Sequence, residues 1–242
     1  MSTLQRTAYE SVADKPKVRI AAAEGLRHVR LGGAHQGFYA RAVKPAGDRL
    51  AAVLLLVALA PVIVVLSLAV ALTSGWPPWY RSRRVGLNGN EFWMLKIRTM
   101  RRDADAVLAK LLESSPALRL EFATRCKISN DPRVTGIGRI LRSLSLDELP
   151  QLVNVALGHM SLVGPRPVPR DELDTMYGAT AETVCLVRPG VTGLWQTSGR
   201  SETTYAERIA ADIEYVQALS LLGDARILLK TVGAVLLRQG AE

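Results

Sequence analysis

One uninterrupted apolar run dominates the polar–apolar pattern of the chain. Leu50–Leu72 reads LAAVLLLVALAPVIVVLSLAVAL, 23 residues without a charge. About 20 apolar residues carry a helix across the hydrocarbon core of a bilayer, so the run predicts a membrane helix. It starts fifty residues into the chain and is longer than the apolar core of a cleaved signal peptide. A surface helix of a soluble domain would keep a charged or polar face, which this run lacks. Pro61 stands at its midpoint, where proline withdraws a backbone donor and crowds the preceding turn. Each half then measures about 16 Å, roughly half of the core. Arg41, Lys44 and Arg49 precede the run, and Arg81, Arg83 and Arg84 follow it. Basic flanks stay on the cytoplasmic side, and a single span cannot keep both there. The pattern therefore predicts a re-entrant helix that dips in and turns back at Pro61. A spanning helix that tolerates its proline is the alternative.

Beyond the run the rhythm shortens. Trp76, Trp79 and Tyr80 suit the membrane–water interface. Arg84–Met100 alternates about Asn88-Gly89, a pair whose positive φ angles suit a two-residue turn, and predicts a β-hairpin. Phe92, Met94, Lys96 and Arg98 would share one face of its second strand. Helical spacing returns over 103–123, with Val107, Leu108, Leu111 and Leu112 on one stripe, and again over 204–219 and 224–237. The last of these, with Arg226, Lys230 and Arg238 beside its apolar residues, fits a helix lying in a membrane surface or one packed on a core. Residues 1–43 show little periodicity and read as a basic, poorly ordered arm. The expected class is α+β, mainly helical. A re-entrant membrane helix and interfacial segment (44–80) join a catalytic region (81–242) with amphipathic interfacial helices and a small β-hairpin.

Composition changes the picture little. A net charge of +9 fits an anionic membrane, phosphate-rich substrates or nucleic acid, and no nucleic-acid motif favours the last. Cys126 and Cys185 are isolated, with neither metal-ligand spacing nor a disulfide framework, which points to a reducing compartment.

Candidate chemistry concentrates in 131–167. Ser145 and Glu148 have the spacing of a capping box, which predicts a helix start there, with Asp147 complementing the helix dipole. That alone gives both acids a structural role. Arg139, Arg142 and Arg166 lie nearby in sequence, however, and arginines with free helix N–H groups attract phosphate. Two carboxylates at such a place fit an anion only if a divalent cation bridges them, and Mg²⁺ is held in this way. A carboxylate there can also attack phosphorus.

These residues belong to a wider set. Lys44-Pro45 with Asp48, Arg84-Val85-Gly86 with Asn88-Gly89, Lys96-Ile97-Arg98-Thr99-Met100, Asp131-Pro132-Arg133-Val134-Thr135, Ser145–Gln151 (SLDELPQ), Met160–Pro167 and Arg188–Gly193 occur in this order. From about residue 44 onward the chain resembles the bacterial sugar transferase family, the monotopic phosphoglycosyl transferases. Its tail from Gly193 to Arg200 is most similar to exopolysaccharide hexose-1-phosphate transferases. The resemblance implies a helix broken at Pro61 in the bacterial inner membrane, with the catalytic region facing the cytoplasm. It implies transfer of a hexose-1-phosphate from a UDP-sugar, glucose or galactose favoured, to undecaprenyl phosphate, through a covalent intermediate and with release of UMP. Asp147 maps to the nucleophile and Glu148 to its partner, both also to Mg²⁺. Arg142 and Arg166 map to phosphate and nucleotide contacts, and Lys96 and Arg98 to motif positions of the same group. Three positions depart from the family pattern: Ala60 where Ser precedes the proline, Ile97 for a Phe, and His159 for an acid. A membrane-anchored lipid-binding or scaffold protein, or a conventional glycosyltransferase releasing UDP, are the competing readings. The first leaves the SLDELPQ and Pro-Arg-Pro motifs without a purpose.

Overall fold

The apolar run folds as one helix, α1 (Lys44–Ser74), extended at its start by a wider turn at Tyr39–Val43. The structure is a computed structural model that describes residues 37–125, 128, 130–197 and 204–236. Most of the expected N-terminal arm, Cys126 and the Gly199-Arg200 end of the tail motif lie outside these residues. Helical backbone continues through Pro61, so the run is a single helix of 31 residues, about 46 Å long, and not two separate ones. Proline's fixed φ suits a helix; what it gives up is one hydrogen bond, and the turns on either side persist. Gly75, at φ 81°, ends the helix.

One stripe of α1 is covered along its whole length. Ala52 packs with Phe92, Met94, Leu152, Val155 and Met160, with Leu56 and Leu59 beside them. Further on, Val70 packs with Ile97 and Leu141, flanked by Leu66. These positions recur every three or four residues, as one helix face must. Both ends of the stripe are tied to the same body. Lys44 Nζ pairs with Asp224 Oδ2 at 2.7 Å, and Arg98 Nη2 donates to the Ser74 carbonyl at 2.7 Å. The other faces bare Leu50, Val53, Leu54, Val57, Val64, Val65, Leu68 and Leu72, with Leu72 86% exposed. A patch of that extent is far larger than water-soluble surfaces carry, and a lipid environment would cover it.

After α1, β1 (Trp79–Val85) and β2 (Glu91–Ile97) pair antiparallel from Trp79↔Ile97 to Val85↔Glu91. The hairpin thus begins five residues earlier than its alternation suggested. Its turn is also wider, Gly86–Asn90, with Gly86 N–H donating to the Asn90 carbonyl at 2.8 Å. Asn88 and Gly89 do take positive φ, 56° and 75°. The added width lets the Asn88 N–H reach the Cys185 carbonyl at 2.8 Å, docking the tip on the body.

The helix expected over 103–123 is two, α2 (Ala104–Ser114) and α3 (Pro116–Arg125), because Pro116 forces Ser115 into extended backbone. Leu108 and Leu112 of α2 bury against Phe122 and Ile128. α4 (Gly136–Ser143) is capped by Thr135 Oγ1, which accepts from Gly138 N–H at 3.0 Å. α5 (Gln151–Ala156) lies across α1 and β2. β3 (Ser161–Val163) and β4 (Gly190–Thr192) form a short parallel pair. α6 (Leu194–Thr197), α7 (Tyr205–Gln217) and α8 (Leu221–Leu236) complete the fold, α7 opening on a true capping box at Thr204 and Glu207. α8 buries Ile227 while Leu222, Leu229 and Val232 stay exposed, so the two roles expected of it fall on opposite faces. The class is α+β and mainly helical, as expected.

Candidate active site

The segment after α4 is not a capping box. Ser145 sits in left-handed backbone, φ 55° and ψ 23°, and its side chain caps nothing. A residue with a Cβ rarely adopts that conformation, and where it does the position is commonly part of a site. The left-handed turn reverses the chain into a single tight turn, Leu146–Glu148, and α5 starts later, at Gln151. Asp147 points inward and is 8% exposed. Glu148 does not reach back to the cap. Its Oε1 accepts from Lys96 Nζ, near the end of β2, at 2.6 Å.

The two carboxyls are therefore unlike. Burial pushes Asp147 above the usual carboxylate range, with Glu148's charge adding to it; the Lys96 and Arg142 charges oppose this without overcoming it. Burial pushes Glu148 up as well, but Lys96's charge and hydrogen bond, then Arg166 and Gln151, leave it below its ordinary value. Asp147 is the more basic carboxyl and Glu148 the fixed anion. Around them, Arg142 Nε donates to Thr99 Oγ1 at 2.9 Å. Burial lowers its affinity for its proton, while the charges of Asp147 and Asp131 work the other way. Arg133 and Asp131, both buried, pair through Nη2 and Oδ2 at 2.6 Å and brace the chain leading into α4. Arg166 follows β3, with its backbone N–H on Asp212 Oδ1 at 3.3 Å and its guanidinium 5.3 Å from the centre of the Trp195 ring. Its charge reaches Glu148.

Such an arrangement, a basic buried carboxyl beside a neutralised one and flanked by arginines, suits attack on a phosphorus centre. The family model for bacterial sugar transferases matches residues 39–238. The chain belongs to that family. It is 47% identical over 207 residues to the exopolysaccharide production protein ExoY of Sinorhizobium fredii, covering 83% of this chain and 91% of that one. A UDP-glucose:undecaprenyl-phosphate glucose-1-phosphate transferase of Caulobacter vibrioides is 42% identical over 202 residues, covering 80% of this chain and 70% of the relative. An undecaprenyl-phosphate galactose phosphotransferase of Salmonella typhimurium is 41% identical over 201 residues, 83% of this chain but 42% of that longer protein.

Of the residues that the sugar transferase resemblance singled out, Lys96, Arg142, Asp147, Glu148 and Arg166 meet in one region. Arg98 does not join them. The alternation of β2 gives way after Met94, and Arg98, 8% exposed, turns to the carbonyls of Ser74 and Gly75, where it caps α1. A cation suits that end of a helix. His159 lies with its ring 5.9 Å from Phe92, a packing contact on the α1 side. Pro61 is exposed on α1, in the apolar surface. Among the described residues no group of three or more His, Cys, Asp or Glu forms a metal cluster. Asp147 and Glu148 are the two carboxylates that could hold a divalent cation together with substrate phosphates and water, and Glu148 is already paired with Lys96.

No local pattern along the chain marks Trp195, Arg208, Asp212, Tyr177, Glu172 or Tyr205 as belonging to the surroundings of Arg166. Tyr177 OH donates to Asp212 Oδ2 at 2.8 Å, and Tyr205 OH donates to Glu172. These contacts cross 35 and 33 residues of chain, so no spacing rule reaches them.

Proposed function

We propose that this protein transfers a hexose-1-phosphate from a UDP-sugar to a polyprenyl phosphate at the cytoplasmic face of the inner membrane, starting surface polysaccharide assembly. The observation that carries this is the division of labour in the dyad: Glu148 is committed to Lys96, which leaves Asp147 buried, raised in basicity and unused by any helix cap. The names of the relatives support the donor and acceptor classes.

In the first half-reaction an Asp147 carboxylate oxygen attacks the sugar-bearing phosphorus. The bond from that phosphorus to the bridging oxygen breaks, and UMP leaves with that oxygen. In the second, a phosphate oxygen of the polyprenyl phosphate attacks the same phosphorus, the Asp147 oxygen–phosphorus bond breaks, and the carboxylate is restored. Arg142 and Arg166 hold the phosphoryl oxygens by charge-assisted hydrogen bonds. Mg²⁺ bound by Asp147 and Glu148 would add charge neutralisation at the phosphates. Lys96 keeps Glu148 ionised as its neighbour works.

The membrane arrangement follows from α1. Basic residues at both ends of α1, Arg41, Lys44 and Arg49 before the run and Arg81, Arg83 and Arg84 after it, favour a re-entrant helix over a span. Pro61, which leaves one backbone carbonyl without its helical donor, is the position at which such a helix would turn.

The test is purified protein with undecaprenyl phosphate, Mg²⁺ and a panel of UDP-sugars. UMP release with UDP-glucose or UDP-galactose, exceeding that with UDP-N-acetylglucosamine, is the expected result. Release of UDP in place of UMP, or of neither nucleotide, overturns the reading.

A further inference from the structure

The strand pairs have two ends, and the dyad occupies one of them. Lys96 stands near the end of β2, and Arg166 follows β3. At the opposite end, the hairpin tip, the start of α1 and the loops leading into β3 and β4 line a cleft of about 510 Å³. That is within the size of small-ligand sites. Residues singled out in the sequence and unused by the dyad meet there: Lys44 with Asp48, Asn88, Ser161 and Arg188. None of Lys96, Arg142, Asp147, Glu148 and Arg166 is among the described residues that line it.

The acids at this cleft are already engaged. Asp224, beneath it, accepts from the Tyr39 hydroxyl at 2.6 Å, Lys44 Nζ at 2.7 Å and the Tyr215 hydroxyl at 2.8 Å. Asp48 lies 3.3 Å from the same Lys44 and accepts from the Ser161 hydroxyl. One ammonium shared by two carboxylates leaves one negative charge to face three guanidiniums, those of Arg41, Arg49 and Arg188. Two of the three converge on one residue. Arg188 Nε donates to the Gly158 carbonyl at 2.8 Å, and Arg49 lies over the same glycine, where an added Cβ would stand 2.9 Å from Arg49 Cζ. Gly158, at φ 79°, takes a left-handed conformation that suits glycine, and its bare Cα admits the Arg49 guanidinium. Burial lowers Arg188's hold on its proton and Arg49's charge lowers it further, with Asp48 opposing. Among the described residues the Arg41 and Arg49 side chains have no ion pair or hydrogen bond, and Arg188's hydrogen bond goes to a neutral carbonyl.

The position of the cleft selects the anion. Arg49 is followed at once by Leu50, the first of the bare apolar residues of α1, with Val53, Leu54 and Val57 beyond it. The cleft therefore opens where the lipid-covered surface begins, and Leu87, Leu186 and Leu219 give it apolar walls. We propose that it binds the phosphate-bearing headgroup of an anionic membrane phospholipid, with Arg49 and Arg188 on the phosphate and the acyl chains along the bare face of α1. Guanidinium forks match phosphate oxygens, and an amphipathic ligand uses both the basic cleft and the apolar helix. Inorganic phosphate and a polyprenyl phosphate share the anionic group. The first makes no use of the apolar surface, and the second reacts at the dyad, at the other end of the strands. The bland alternative is a diffuse attraction of basic flanks to an anionic bilayer.

The experiment places the full chain in nanodiscs of equal phosphatidylglycerol and phosphatidylcholine and counts the lipids it retains by native mass spectrometry. Wild type is compared with Arg49→Gln, Arg188→Gln and Arg81→Gln, the last making the same charge change at the other end of α1. Expected is a preference of wild type for phosphatidylglycerol of about fivefold or more, which falls to near parity in Arg49→Gln and Arg188→Gln and persists in Arg81→Gln. Arg49 is exposed, so its variant decides the matter even if Arg188→Gln does not fold. An unchanged preference in Arg49→Gln refutes the site. An equal loss in Arg81→Gln refutes it in favour of diffuse attraction. Displacement of phosphatidylglycerol by excess inorganic phosphate makes the cleft a site for the free anion, and displacement by a trace of undecaprenyl phosphate makes it the acceptor's, and either overturns the phospholipid. None of these readouts requires turnover, so they stand apart from the transferase reading.

Discussion

Replacing Asp147 by Asn separates chemistry from folding, because the two effects run in opposite directions. Asparagine keeps the size and one accepting oxygen but has no nucleophilic carboxylate. Loss of a covalent route removes on the order of 10⁴ or more in rate, by analogy with other deleted nucleophiles. The stability effect comes from the raised carboxyl. Burial, then Glu148's charge, outweigh Lys96, Arg142 and a backbone hydrogen bond, so the net environment of Asp147 prefers the neutral form. The folded protein binds this proton more tightly than the unfolded chain does. Stability from this group therefore falls as pH rises from the ordinary carboxylate value through the folded one, and stays low above it. Each unit of elevation corresponds to about 1.4 kcal/mol. Asp147→Asn should release no UMP, gain no phosphosugar mass when given UDP-sugar without lipid acceptor, and melt above wild type at pH 7–8. That advantage should shrink toward pH 4. Turnover within about tenfold of wild type would refute the nucleophile. An inactive variant melting below wild type at neutral pH would show that the residue is structural and the activity loss uninformative.

Three further outcomes are expected. Single cysteines at Arg41 and Arg81 should both be shielded from an impermeant reagent in intact cells, and labelling of one alone would make α1 a span; Pro61→Leu should favour that span. Lys96→Met removes the ammonium 2.6 Å from Glu148 and the principal positive charge on both carboxyls, so the acid limb of the kcat/KM profile should move to higher pH, with Lys96→Arg restoring it. An unmoved limb would count against the dyad assignment. Asp212, pushed up by burial to about 7 against the opposing Tyr177 hydroxyl, Arg166 N–H and the Arg166 and Arg208 charges, should make wild type lose stability as pH climbs from about 4 to about 7. Thermal melts of Asp212→Asn across that range should lack this slope, and a parallel slope in both proteins would refute it.

The sequence alone determined what one-dimensional patterns can hold. A charge-free run of 23 residues predicts a helix long and apolar enough to cross a membrane, and alternation about Asn88-Gly89 predicts a hairpin. The ordered motifs identified the family and singled out Asp147, Glu148, Arg142, Arg166 and Lys96, which the fold then brought together. Local rules failed where tertiary contacts outbid them. The Ser145–Glu148 spacing satisfies a capping rule, yet Lys96, 52 residues away, takes the glutamate, and Ser145 adopts a left-handed conformation that turns Asp147 inward. Strand alternation put Arg98 on the face of Lys96, yet the open carbonyls at the end of α1 claim it. Pro61 promised a break, yet one missing hydrogen bond did not interrupt a helix held along its length by the body beneath it. The grouping of Arg166, Trp195, Arg208 and Asp212 was invisible until β3 and β4 were paired in parallel. Charge, burial and cation–aromatic contact depend on distance through space, and spacing along a chain encodes that distance only within a single turn or strand.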